Sequence, residues 1–227
     1  MSEYPDAKVA VYTCIIPKDY TVLKPPIYVN EDRNQVHYWA ILPESLGGVD
    51  PWWELIIKRD ESLTPRQDMQ QYKMHSHKLL PDYDYTIWVD GNTRLKVDPL
   101  ELVRVLQASG KTVLFGAHPW RTCSYEEGKV CAGFASQDRG VIEKQLAKYK
   151  EQGLPENFGL IASTFFIRDN KEEFTNNFFD MWHKETMLLG DSPRNQVSFG
   201  YAAFKSHLNY LALGMGWGRN VYYQMEK

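Results

Sequence analysis

Two rhythms of apolar and polar residues alternate along this chain. Short β-branched and aromatic runs at 8–16 (KVAVYTCII), 35–42 (QVHYWAIL), 52–58 (WWELIIK), 85–89 (YTIWV), 112–117 (TVLFGA) and 160–168 (LIASTFFIR) have the composition of strands, most of them buried ones. Between them lie stretches with helical periodicity and recognisable ends. Pro65 follows Thr64, a good N-cap, and opens a helix that runs to the residue before Pro81. Asp98-Pro99 caps another, ended by Gly110, and further helices are predicted through Glu126 and Glu127, over 140–152, over 171–189 and over 194–208. Strands alternating with helices predict an α/β fold with a mainly parallel central sheet flanked by helices.

The stretch around which this pattern is organised is Asp82 to Asn92, DYDYTIWVDGN. A buried strand ends abruptly in Asp90-Gly91-Asn92, and open α/β sheets bind ligands beyond the carboxyl ends of such strands. In extended backbone Asp90 and Asn92 would point the same way, and Gly91 would let a ligand approach the main chain. Two hard oxygen donors so placed suit Mg²⁺ or Mn²⁺, which could also hold a diphosphate. The plainer alternative is an Asp-Gly-Asn turn closing a strand. The 112–117 strand delivers His118, Trp120 and Arg121 at its own end, with Glu126 and Glu127 just beyond, so two strands place polar residues where one site could share them. Lys73 and His77, four apart on the helix leading into the Asp90 strand, would share a face.

Length and composition narrow the class. At 227 residues, with 43% hydrophobic and 24% charged, the chain suits one domain, 1–227, with a core that needs no disulfides. A net charge of −3 argues against a broad nucleic-acid-binding face. Seven Trp and fourteen Tyr point to thick packing under a large sheet more than to a stacking cleft. No signal segment and no apolar run of spanning length is seen, so the expectation is a cytoplasmic protein with no membrane partner. Cys14, Cys123 and Cys131 lack zinc spacing; the last two flank a predicted helical segment that would hold them about 12 Å apart, so reduced thiols are expected.

Five motifs in order resemble a known family. They are KxxxHxxLPDYDYTIWVDGN from Lys73, HPWRTCSYEEG from His118, GLPENxGL from Gly153, IRDN from Ile167 and RNQVSF from Arg194. The family is a plant and bacterial group of glycosyltransferase-like proteins, long catalogued as a domain of unknown function, with mucilage- and turgor-related plant members. The resemblance implies a GT-A-like domain that transfers a sugar from a nucleotide-sugar donor to a hydroxyl acceptor, with Asp90 and Asn92 as a variant of the metal-binding Asp-x-Asp. It also implies donor-binding roles for Lys73, His77, His118, Arg121, Arg194, Asn195 and Gln196. The acceptor (glycan, protein, small molecule or modified DNA base) and the oligomeric state are left open.

The chain departs from the family at Asn195, where Arg-Asp-Gln is usual. An amide has no useful basicity, so the base is another carboxylate (Asp191 in sequence, or Glu126 or Glu127), or none is needed, or turnover is lost and the chain is a binding module. A haloacid-dehalogenase-type phosphatase fails on residues. Taking Asp90 as nucleophile puts Asn92 in the acid–base position, and taking it as the acid–base puts Trp88 at the nucleophile.

Overall fold

The computed structural model describes residues 7–15, 23–42, 49–214 and 220–225. The irregular stretch that starts at Pro17 after the first strand, where α/β nucleotide-binding domains usually place a ligand loop, begins outside these residues, as do 43–48 and half of the 214–227 tail. Strand β1 (Val9–Cys14) is buried at every position, which is why it reads as an unbroken apolar run rather than an alternation. Strands β2 (Val36–Leu42) and β3 (Glu54–Ile57) extend the sheet in parallel on one side, and β4 (Tyr85–Val89) pairs in parallel with β1 on the other. Beyond β4 the direction changes. Strand β7 (Ile161–Asp169) is antiparallel to both β4 and β6 (Val113–Ala117), and β8 (Leu211–Leu213) returns to parallel beside β6. The seven-stranded order is β3-β2-β1-β4-β7-β6-β8. The single reversed strand has a functional consequence: the start of β7 lies at the same lip as the ends of β1, β4 and β6.

Helices cover both faces. Helix α3 (Pro99–Ala108) starts where Asp98 Oδ1 accepts the Leu100 N–H at 2.9 Å. With the small antiparallel pair β5 (Thr93–Leu95) and β9 (Tyr223–Met225) it closes a core that includes Val11, Ile87, Leu102 and Tyr223. The other face packs α1 (Pro65–Met74), α6 (Glu173–Met187) and α7 (Asn195–Ser206) onto an aromatic core. There the Phe115 ring lies 5.5 Å from Phe166, 5.9 Å from Trp182 and 5.2 Å from Phe199. The aromatic richness is therefore mainly a packing feature. Helices α4 (Ser124–Cys131) and α5 (Arg139–Glu151) complete the layer at the far edge. All three cysteines are buried free thiols, and burial pushes the Cys14 thiol well above its ordinary range. Among the described residues, no helix is long and apolar enough to cross a membrane.

One helix differs from expectation. The 65–80 segment breaks at His75 (φ −105°, ψ 38°) into α1 and a short α2 (Ser76–Leu79). Carbonyls at the break find tertiary donors: Tyr12 Oη–H reaches Lys73 O at 2.6 Å and Arg168 Nη1–H reaches Met74 O at 3.0 Å. Lys73 and His77 therefore no longer share a helical face.

Candidate active site

The site is assembled from α1, the end of β4, the start of β7 and the first turn of α7. Thr64 fixes the start of α1 through a reciprocal capping box with Gln67. From there Arg66, Gln70 and Lys73, at i, i+4 and i+7, form one polar stripe toward the strand lip. The Lys73 side chain is only 3% exposed, and its Nζ donates to Asp90 Oδ1 at 2.9 Å. Trp88 Nε1–H donates to the same oxygen at 2.8 Å, and Nζ lies 4.9 Å from the centre of the Trp88 ring. Burial lowers the Lys73 pKa, and the Asp90 carboxylate opposes that fall. Asp90 N–H makes the last bond to β7, at Thr164 O (2.9 Å), and Thr93 N–H then closes a turn onto Asp90 O (2.7 Å). Asp90-Gly91-Asn92 is thus a turn rather than extended backbone, yet both side chains line the same cavity.

That cavity, of about 300 Å³, is also lined by Ser163, Arg194, Asn195 and Gln196. A hydrogen-bond chain crosses its floor. Ser163 Oγ–H donates to Asn195 Oδ1 (2.9 Å), and Asn195 Nδ2–H donates to Gln70 Oε1 (2.9 Å). Both ends of the Asn195 amide are engaged, and Trp182 Nε1–H holds its backbone carbonyl at 2.8 Å. Gln196 Nε2–H donates to Ile161 O at 3.2 Å, and the Arg194 guanidinium lies 5.2 Å from the Phe134 ring centre. Helix α7 therefore opens onto the cavity, and its N-terminal dipole adds positive potential there.

The other candidate residues lie elsewhere. His118, Arg121 and Glu127 form a separate cluster at the end of β6, outside the residues lining the Asp90 cavity. Arg121 Nε–H donates to Glu127 Oε2 at 2.6 Å, while His118 Nδ1 accepts the Arg121 backbone N–H at 3.0 Å. Burial pulls the His118 pKa down; Glu127 opposes this and Arg121 adds to it. Glu127 is buried and clamped, and Glu126 is exposed on α4. Asp191 is exposed and borders a different depression, with Gln137 and Ser192, because its own carbonyl is drawn to Thr64 Oγ1 at 2.8 Å. His77 is carried to the opposite end of the sheet by the break at His75. There its Nδ1 accepts from Arg168 Nη2 at 3.1 Å. Arg168 follows Ser163 along β7 by about 16 Å of strand rise. Arg121 is paired with a buried carboxylate: Glu127→Gln should lower stability by about 1–3 kcal/mol in urea unfolding, because the charged contact to the half-buried guanidinium weakens. A Glu127→Gln protein as stable as the natural one would return Arg121 to the list of ligand-facing cations.

Comparison with known proteins decides the family. The family model described as the TOD1/MUCI70 glycosyltransferase-like domain matches residues 34–215. The chain belongs to this family. It is also 23% identical over 157 residues to the "Probable hexosyltransferase MUCI70" of Arabidopsis thaliana, a match covering 65% of this chain and 26% of that protein. The chain thus corresponds to about a quarter of the length of that curated relative. Among solved structures it is similar to the apo form of the bifunctional glycosyltransferase WbbM, with a TM-score of 0.49 and 13% identity, over 94% of this chain and 40% of that one.

Within this TOD1/MUCI70-family site, the residues present fit a divalent ion poorly. Asp90 Oδ1 is closed by an ammonium and an indole N–H, so among the described lining residues Asp90 Oδ2 is the carboxylate oxygen left for an ion, beside neutral side-chain donors such as Asn92. Among the described residues no group of three His, Cys, Asp or Glu side chains is placed to hold a metal. A hard dication seeks about six oxygen ligands, and here it would sit beside a buried ammonium. The sequence reading missed Arg66, Gln70 and Ser163. The 66-70-73 spacing was a signal for the first two, and a Ser-Thr pair inside an otherwise apolar strand was the signal for the third.

Proposed function

We propose that this chain transfers a sugar from a nucleotide-sugar donor to a hydroxyl acceptor, with the donor diphosphate seated in the cavity beside Asp90. The observation that supports it most is the placement of Arg66, Lys73, Arg194 and the start of α7 around one cavity at the carboxyl lip of a mostly parallel sheet. In such a reaction the bond from the anomeric carbon to the diphosphate oxygen breaks with its electron pair on the leaving group. The acceptor oxygen forms the new bond and its proton is released. Fixed cations stabilise the negative charge that grows on the diphosphate, and because they are already in place they need no reorganisation. Asp90 orients Lys73 for this task and Trp88 holds Asp90.

A second reading is favoured by Asn195. Neither this amide nor the clamped Glu127 can take a proton from an acceptor, so a nucleotide-sugar-binding module without turnover fits the same cavity. Donor hydrolysis separates the two. Incubated with a panel of nucleotide-sugars, an active transferase should release nucleoside diphosphate slowly even without acceptor. Binding by thermal shift with no release for any donor would establish the module instead.

A further inference from the structure

We infer that the diphosphate is held by fixed side-chain cations without a divalent metal, Lys73 standing where a metal ion would otherwise join the strand-end carboxylate to phosphate. This rests on the donor reading given above. Lys73 is a built-in cation: its Nζ is buried, 2.9 Å from Asp90 Oδ1 and 4.9 Å from the Trp88 ring centre. A divalent ion on the same carboxylate would lie next to this ammonium, and the two like charges would repel. Three cations among the described lining residues, Arg66, Lys73 and Arg194, flank the same cavity and can supply side-chain charge to a diphosphate. Asn195 contributes by being neutral. Its Oδ1 takes the Ser163 hydroxyl, whose Oγ is 3.5 Å from Lys73 Nζ, so a carboxylate at this position would draw the ammonium's charge away from phosphate.

The experiment measures calorimetric binding of UDP, GDP and ADP to the natural protein after exhaustive chelation, in EDTA and again with Mn²⁺, while Mn²⁺ itself is followed by its free-ion electron paramagnetic resonance signal. At least one nucleotide should bind with an affinity that changes less than threefold between the two conditions. The Mn²⁺ signal should show no site on the protein alone. Arg194→Gln and Arg66→Gln should each weaken binding about tenfold and flatten its salt dependence. Asn195→Asp should weaken metal-free binding about tenfold, with Mn²⁺ restoring it, because this variant adds the missing carboxylate. Nucleotide binding to the natural protein only when Mn²⁺ or Mg²⁺ is present would overturn the metal-free inference and leave the transferase reading standing. No binding of any nucleotide in either condition would overturn both.

Discussion

Asp90→Ala should cost this protein about 3 kcal/mol of stability, a large effect for a residue at the rim of a cavity. The reason is what the substitution leaves behind. Lys73 is 3% exposed, and with the carboxylate gone its ammonium keeps a 3.5 Å contact to Ser163 Oγ and the Trp88 ring 4.9 Å away, neither of which carries a balancing charge. Trp88 Nε1–H loses its acceptor as well. Removing one partner of a buried pair is expensive because the other charge stays desolvated. The lower end of the usual range applies because the Asp90 side chain is 28% exposed and water can partly replace it. The double variant Asp90→Ala/Lys73→Met should recover most of the loss, since a flexible apolar side chain can fill the Lys73 channel without a charge. Urea unfolding of the natural protein, both single variants and the double variant forms a closed cycle. A coupling energy below about 0.5 kcal/mol would show that the ammonium and carboxylate do not depend on one another in the way their geometry requires.

The same pair shows how far the sequence carries. The strand ending in Asp90 could be read from YTIWV, and the starts of α1 and α3 from Thr64-Pro65 and Asp98-Pro99, because those signals are local. That Lys73 would turn to Asp90 while His77 turned away could not be read. The break at His75 is stabilised by Tyr12 and Arg168, which are 61 and 94 residues from the carbonyls they reach. No local propensity encodes such donors. The reversal of β7 is equally hidden, since an apolar run does not reveal its direction, yet this reversal is what brings Ser163 and Thr164 to the lip. Strands β8 and β9 are three residues long and only partly buried, so their existence depends on the partners that offer them an edge. Of the candidate residues, Asp90 and Asn195 line one cavity because each lies at the end of a well-signalled element, a strand and a helix. Asp191 and Glu126 lie outside the cavity because proximity in sequence to such an element does not fix the direction of a loop or an exposed helical position.

Acidification from pH 7 to pH 5 should lower the stability of the protein by about 2–4 kcal/mol, through a cluster of imidazoles on the far side of the molecule from the cavity. His77 is fixed as neutral by its neighbours. Arg168 Nη2 can only donate, so His77 Nδ1 must accept, and the ring proton sits on Nε2, 3.3 Å from Asp180 Oδ1. A second proton would turn an N–H against the guanidinium. His75 Nε2 is 3.2 Å from the same Asp180 oxygen, which also takes Lys78 at 2.7 Å, and its ring centre lies 4.3 Å from that of His183, the two planes tilted by 56°. Burial first, then the nearby His183 and Lys78 charges, pull His75 from 6.5 down to about 3. Burial and Arg168 pull His77 down to about 4, and His183 is lowered in the same direction, with Asp180 opposing in each case. The sign follows from proton binding. Above pH 7 both folded and unfolded chains hold these rings neutral, and stability does not depend on them. As pH falls below the ordinary value of 6.5, the unfolded chain takes up protons that the folded chain refuses, so unfolding becomes easier down to the folded values near 4 and 3. Urea unfolding at pH 7, 6 and 5 gives the slope directly. His75→Gln should remove about half of it, whatever that variant does to stability at pH 7. A slope unchanged in His75→Gln would mean that other groups carry the acid sensitivity and that this ring is already free to protonate in the fold.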